Sequence, residues 1–125
     1  VPHASGLLDG TFTRDTVFAP DDHRAHRKKA WLETGIKKLN TIQFLREGMT
    51  STVGQTAIKF VLSGPNVASV LPNILNMDQL EEFAAAPETN DIPSELLERL
   101  HATFDDGFGM ALDAEGQEVA EAAVR

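Results

Sequence analysis

A chain of 125 residues without a single cysteine has few side chains with which to do chemistry. The missing thiols exclude a disulfide framework, a thiolate zinc site and a cysteine nucleophile together. His23 and His26 stand at a helical i,i+3 spacing that could ligate a metal, but only Asp22 stands near enough in sequence to be a third ligand. Solvated helix-start histidines are the better reading. Asp105-Asp106-Gly107 begins like a calcium loop without completing its oxygen spacing, so no metal is assigned. Nor does the chain hold a Ser-His-Asp set, a P-loop or a G-x-G-x-x-G run, which leaves hydrolase, phosphoryl-transfer and Rossmann readings without support.

Three polar groupings remain, each with a plain structural reading beside it. Ser5-Gly6 before Leu7-Leu8 could be a turn followed by two core leucines. The cluster from Arg24 to Lys29 could attract a nucleotide phosphate or an acidic partner, although a solvated helix face with long aliphatic stems is the default. Asn76 to Phe83 could be an N-cap, two core residues in Leu80 and Phe83, and a solvated Glu82.

Elements must position these groups. Val1 to Pro20 reads as loop, punctuated by Gly6, Gly10 and Pro20. Asp21-Asp22 offers an N-cap to an amphipathic helix carrying Leu32, Ile36, Leu39, Ile42 and Leu45, with its end expected near Gly48. Thr52 with Gln55 three residues on makes a capping box for a second helix, which Gly64-Pro65 stops. Val67 to Leu71 is short, apolar and β-branched between two Pro-Asn pairs, which predicts a buried parallel-type strand. Asn76 then caps a helix through Ala86, ended by Pro87, and Pro93-Ser94 opens a last helix with Leu96, Leu97, Leu100 and Phe104 on one face. A lone strand leaves its backbone groups unpaired, so the missing sheet is expected before Val1 or in another molecule. The initial Val in place of Met points the same way, to a trimmed or partial product.

Composition bounds the rest. The apolar fraction of 42% and charged fraction of 24% are those of a globular protein, with one domain expected over residues 1–109 and an acidic Ala/Glu-rich tail over 110–125. A net charge of −8 repels polyanions, so nonspecific nucleic-acid binding is not expected. The longest apolar runs are far short of the roughly 20 residues of a membrane span, so no membrane partner and a cytoplasmic location are expected.

Two segments resemble one known family. Pro2-His3-Ala4-Ser5-Gly6-Leu7-Leu8-Asp9-Gly10 is similar to the P-L-a-x-G-L-L-t-G pattern of the aldo-keto reductases, which follows the seventh strand of their barrel. Val67 to Phe83 resembles the same family's eighth strand, cofactor loop and helix, V-x-S-V-I-P-G-A-R-x-x-x-Q-L-x-E-N. Between them, Thr52 to Leu62 resembles its t-x-x-q-x-A-L-x-W-x-L helix, and Asp22-His23-Arg24 its D-x-R. The likeness runs in unbroken order from Pro2 to about Phe104.

That resemblance implies an α/β fold, the C-terminal section of a (β/α)8 TIM barrel, mostly helical with one clear parallel-type strand in this chain. It implies an NAD(P)H-dependent oxidoreductase acting on carbonyls, to which this segment supplies the cofactor loops after strands seven and eight. Barrels of this kind commonly hold a ligand phosphate there. The implied cofactor-binding residues are His3, Ser5, Gly6, Leu7, Asn73, Leu75, Gln79, Glu82 and Phe83. The family's Asp, Tyr, Lys and His catalytic set lies upstream, and the chain has no Tyr at all, so no catalytic residue is assigned. Departures from the pattern include His3 for Leu, Asn73 for Gly, Leu75 for Arg or Lys, and Phe83 for Asn. Without a cation at Leu75 the site loses a contact to a 2′-phosphate of about 1.5–3 kcal/mol, and Asp78 would repel that phosphate. The expected cofactor is NADPH or NADH, with no preference for NADPH. The other expected partners are the remainder of the barrel, in cis or trans, and a second copy of the chain. The alternative is a non-catalytic helical interaction or regulatory module derived from that barrel, with cofactor binding lost.

Overall fold

The computed structural model describes residues 2–110, and everything it describes is helix, turn or irregular chain. A 3₁₀ turn spans Ala4–Asp9 where an unbroken loop is expected, and another spans His23–His26. Five α-helices follow: α1 (Lys29–Thr41), α2 (Phe44–Glu47), α3 (Val53–Leu62), α4 (Met77–Ala84) and α5 (Ser94–Asp105).

Local chemistry sets most of these boundaries. Asp22 does cap, but it caps the short turn, its Oδ1 accepting from Arg24 N at 2.8 Å. Arg27 and Lys28 then take ψ of 146° and 142°, so α1 starts only at Lys29. The expected single helix to Gly48 also breaks at its middle. The Thr41 hydroxyl donates to the Lys38 carbonyl at 2.8 Å and the Gln43 side-chain amide to the Leu39 carbonyl at 3.2 Å. Those are the acceptors that a continuing helix offers to the amides of Ile42 and Gln43, so side chains compete with the ladder there. By contrast α3 begins as read: Thr52 Oγ1 accepts from Gln55 N, and Gln55 Oε1 accepts from Thr52 N, both at 3.1 Å. Asn76 likewise caps α4 through Gln79 N at 2.8 Å, and α4 gives way at Ala85 to a 3₁₀ turn holding Pro87.

The parallel-type strand expected at Val67–Leu71 is not formed. Among the described residues the architecture is all helical, which corrects the α/β expectation for this chain. Val67 to Leu75 runs as irregular chain with no ladder partner beside it. A strand is defined by a neighbour's hydrogen bonds, and β-branched composition alone cannot supply one. Only Val70 of this run packs inward, onto Ile58, Phe83 and Ala86.

Two small cores hold the helices. Phe44, Leu45 and Ile92 gather Met49, Leu96, Leu97 and Leu100 around them, joining α2 to α5. Ile58, Phe83 and Ala86 join α3 to α4. Glycine permits two of the closest approaches. A Cβ on Gly35 of α1 would lie 2.6 Å from Leu7 Cδ1, and one on Gly54 of α3 would lie 2.7 Å from Phe83 Cε1. Leu7 and Phe83 therefore sit as knobs in glycine-floored holes, which brings the Ala4–Asp9 turn against α1 and α4 against α3. Between α1, α3 and α5 an apolar cavity of about 500 Å³ stays open, lined by Leu39, Ile42, Ala57, Phe60, Leu100 and Phe104 among others.

Candidate functional site

The Ala4–Asp9 turn is left-handed where it matters. Ala4, Ser5 and Gly6 take φ of 47°, 59° and 93°, and Gly6 N and Leu8 N both donate to the His3 carbonyl, at 2.9 and 3.3 Å. Gly6 is required twice over, by its φ and because a Cβ would lie 3.0 Å from Arg24 Nη1 and from Phe12 Cζ.

Two guanidinium groups flank this turn. Arg24 Nη1 donates to the Ser5 carbonyl at 3.2 Å and Arg27 Nη2 to Ser5 Oγ at 3.3 Å. Arg24 is held on its other edge by Asp22, with Nη2–Oδ2 at 2.6 Å and Nε–Oδ1 at 2.9 Å. Its carbon lies 4.8 Å from the Phe18 ring centroid and 5.3 Å from that of Phe12, and Arg27 lies 4.6 Å over Trp31. Hydrogen bonds from Arg24 hold the Asp22 carboxyl at about 2, well below the usual carboxylate range.

The second half of the site is the start of α4. The Gln79 side chain accepts from Leu75 N through Oε1 at 2.9 Å and donates from Nε2 to Asp9 Oδ2 at 3.3 Å, which ties α4 to the Ala4–Asp9 turn across 70 positions of sequence. Burial pushes the Asp9 carboxyl above its ordinary value; the Glu82 carboxylate adds to this, while His3, Arg24 and the Gln79 hydrogen bond act against it. Glu82 is anchored from α3: Thr52 donates its hydroxyl to Glu82 Oε1, and Gln55 Nε2 donates to the Glu82 carbonyl at 2.9 Å.

The sequence-predicted residues fall into three groups. Ser5 and Gly6 form the turn, and Gln79 and Glu82 stand partly exposed across from it. Asn73 and Leu75 lie exposed on the run that leads into α4. His3, Leu7 and Phe83 are packed inside, at 3, 9 and 4% exposure. The His3 and Phe83 rings stack with centroids 4.2 Å apart at 24°, and His3 Nε2 lies 3.2 Å from the Gly54 carbonyl. Two of the departures from the family pattern, His3 and Phe83, therefore meet in space, ring against ring. His3 Nδ1 is buried without a hydrogen-bond partner among the described residues.

Sequence reading did not place Asp9, Arg27, Thr52 or Gln55 at this site. Arg27 carried a signal in the basic cluster, and Thr52 with Gln55 in the capping box, whose side chains also reach α4. Asp9 carried none in its spacing, since its hydrogen-bond partner Gln79 lies 70 positions away. Among the described residues no group of three or more His, Asp or Glu is placed to hold a metal ion, and no helix is long and apolar enough to cross a membrane.

The sequence model of the aldo/keto reductase family matches residues 1–104, and the chain belongs to that family. Among curated proteins it is similar to a probable voltage-gated potassium channel subunit beta of Arabidopsis thaliana, 26% identical over 86 residues, which is 65% of this chain and 26% of that protein. The chain thus spans about a quarter of the length of that relative. No solved structure matches it.

Proposed function

We propose that this chain supplies the dinucleotide-holding part of an NAD(P)H-dependent carbonyl reductase, with the diphosphate at the Ser5–Gly6 turn and the adenosine end along Leu75, Gln79 and Glu82. The observation that carries the reading is the pairing of that left-handed turn with the guanidinium groups of Arg24 and Arg27. A serine hydroxyl beside two planar cations is a donor set suited to a diphosphate. Gly6 N and Leu8 N are taken by the His3 carbonyl and Arg24 by Asp22 and the Ser5 carbonyl, so Arg27 and the Ser5 hydroxyl, which meet each other at the surface, are the groups that would turn to it. Asn73 extends the exposed rim toward the ligand. His3, Leu7 and Phe83 serve beneath the surface, fixing the turn and α4 on α1 and α3.

When bound, the nicotinamide ring supplies the hydride for reduction of a carbonyl carbon. This chain's own work is to hold the dinucleotide and orient it. The Asp22 carboxylate keeps Arg24 directed at the Ser5 carbonyl, and the Thr52 cap keeps Glu82 in place. Proton donation falls to the remainder of the aldo/keto reductase domain, the expected partner of this chain. With Leu75 in place of a cation and Asp78 beside it, a 2′-phosphate gains no ion pair here.

Calorimetric titration of the full-length protein with NADH and NADPH tests the reading. Both should bind, NADPH no more tightly than NADH. Failure of both to bind, or a preference for NADPH of about tenfold or more, worth about 1.4 kcal/mol, overturns it. One observation favours a second reading, a regulatory module without cofactor: Phe83 is buried at 4% exposure and offers no polar group to a ligand. That reading predicts no dinucleotide binding at all.

A further inference from the structure

We propose that Asp9 is a positioning residue: its carboxylate sets the orientation of the Gln79 side-chain amide and thereby docks the run into α4 against the Ser5–Gly6 turn. The proposal rests on the reading of those two segments as a dinucleotide site and adds a residue that the family pattern, with its usual Thr at this position, does not supply.

A glutamine amide has two ends of nearly equal shape and opposite hydrogen-bonding sense. Its orientation is settled only when a neighbour can act in one sense alone. Leu75 N–H is a donor only, and Oε1 of Gln79 meets it at 2.9 Å. That leaves the NH₂ end aimed at the Ala4–Asp9 turn, where Asp9 Oδ2 receives it at 3.3 Å. An ionised carboxylate only accepts, so it enforces the orientation from the far side, whereas a hydroxyl or an amide could serve either end. Gln79 N is meanwhile tied to Asn76 Oδ1 at 2.8 Å, so residues 75, 76 and 79 form one hydrogen-bonded unit. Asp9 is the point at which that unit meets the turn.

The charges facing Asp9 come from three other places. His3 precedes it on the same turn and Arg24 reaches in from the His23–His26 turn, both favouring the ionised form; Glu82 on α4 opposes it, as does partial burial. Burial is the largest of these influences, so the carboxyl stands above its ordinary value, and it is the geometry that places Oδ2 on the Gln79 amide. Loss of its charge would free the Gln79 amide to rotate, release Leu75 N–H to water and let the exposed run from Leu71 to Asn76 move away from the turn.

Full-length wild type, Asp9→Asn, Asp9→Ser, Gln79→Ala and the Asp9→Asn/Gln79→Ala double variant would be compared by two readouts. One is hydrogen exchange at the Leu75 amide, with the Ile58 amide in the core as the control for folding. The other is NADH affinity. Asp9→Asn and Asp9→Ser should each speed Leu75 exchange about tenfold and weaken NADH binding about fivefold, with Ile58 unchanged, as expected for loss of one charge-assisted hydrogen bond at a half-exposed site. The double variant should be no weaker than Gln79→Ala alone. Unchanged Leu75 exchange in both Asp9 variants, or losses that add in the double variant, would overturn the proposal. If wild type binds no NADH, the dinucleotide reading fails by itself, and the exchange data still decide the role of Asp9.

Discussion

Single residues at this site work through charge and hydrogen bonding, and Asp22 shows the sign most plainly. Its folded-state pKa, about 2 against an ordinary 3.8, is depressed by hydrogen bonds from Arg24. A depressed carboxyl contributes stability that is present above the unfolded value and lost as pH falls toward the folded one. Denaturant midpoints of wild type and Asp22→Asn should therefore differ fully at about pH 6 and converge between about pH 4 and pH 2; a gap that persists unchanged at the acid end would contradict the Arg24 pairing. Local spacing made some of these residues legible. Asn76 and Thr52 declare their caps within three positions. Arg24 and Arg27 reach Ser5 across 19 and 22 positions, and Asp9 reaches Gln79 across 70, distances at which spacing carries no information.

At the level of elements, α3 and α4 are joined by a glycine hole and a shared cap. Gly→Ala in an exposed helix normally gains about 1 kcal/mol. Gly54→Ala should instead lose about 1–2 kcal/mol by urea titration, because the new methyl would meet Phe83 Cε1 at 2.7 Å and Glu82 Oε1 at 2.9 Å. A stabilised variant would mean that α4 does not sit on Gly54. Thr52→Ala removes the cap and the anchor of Glu82 together, with an expected loss of about 1–2 kcal/mol in the same assay. A loss under a few tenths would argue that the cap is replaced by water. The helices were legible because caps and 3.6-residue periodicity are local, down to Thr52-Gln55 and Leu96, Leu97, Leu100. The break at Thr41 was not, since it depends on which side chain takes the Lys38 and Leu39 carbonyls. Val67 to Leu71 misled for the reason that a strand is a property of two segments, and its composition speaks for only one.

At the scale of the whole molecule, apolar surface is exposed among the described residues. Leu71, Leu75, Met77 and Phe104 are 89, 66, 65 and 67% exposed, and the cavity between α1, α3 and α5 lies open beside Phe104. Surfaces of that kind drive association. The isolated 125-residue chain should sediment as oligomers at micromolar concentration, and Leu71→Asp with Phe104→Asp should shift it toward monomer; a wild-type monomer under those conditions would show that the exposed faces are tolerated as they stand. Family membership was legible from the ordered motifs, whereas the helical character of the described chain was not, because motif order does not report whether a segment finds its sheet. The central claim is that a dinucleotide diphosphate rests on the Ser5 turn between two guanidinium groups. Calorimetric titration of full-length wild type and Arg27→Ala with NADH tests it most directly. Arg27→Ala should weaken binding about tenfold, with the NADH to NADPH ratio unchanged, as one partly screened charge-assisted contact would dictate. Tight NADH binding to wild type that survives Arg27→Ala undiminished would place the diphosphate elsewhere and contradict the account.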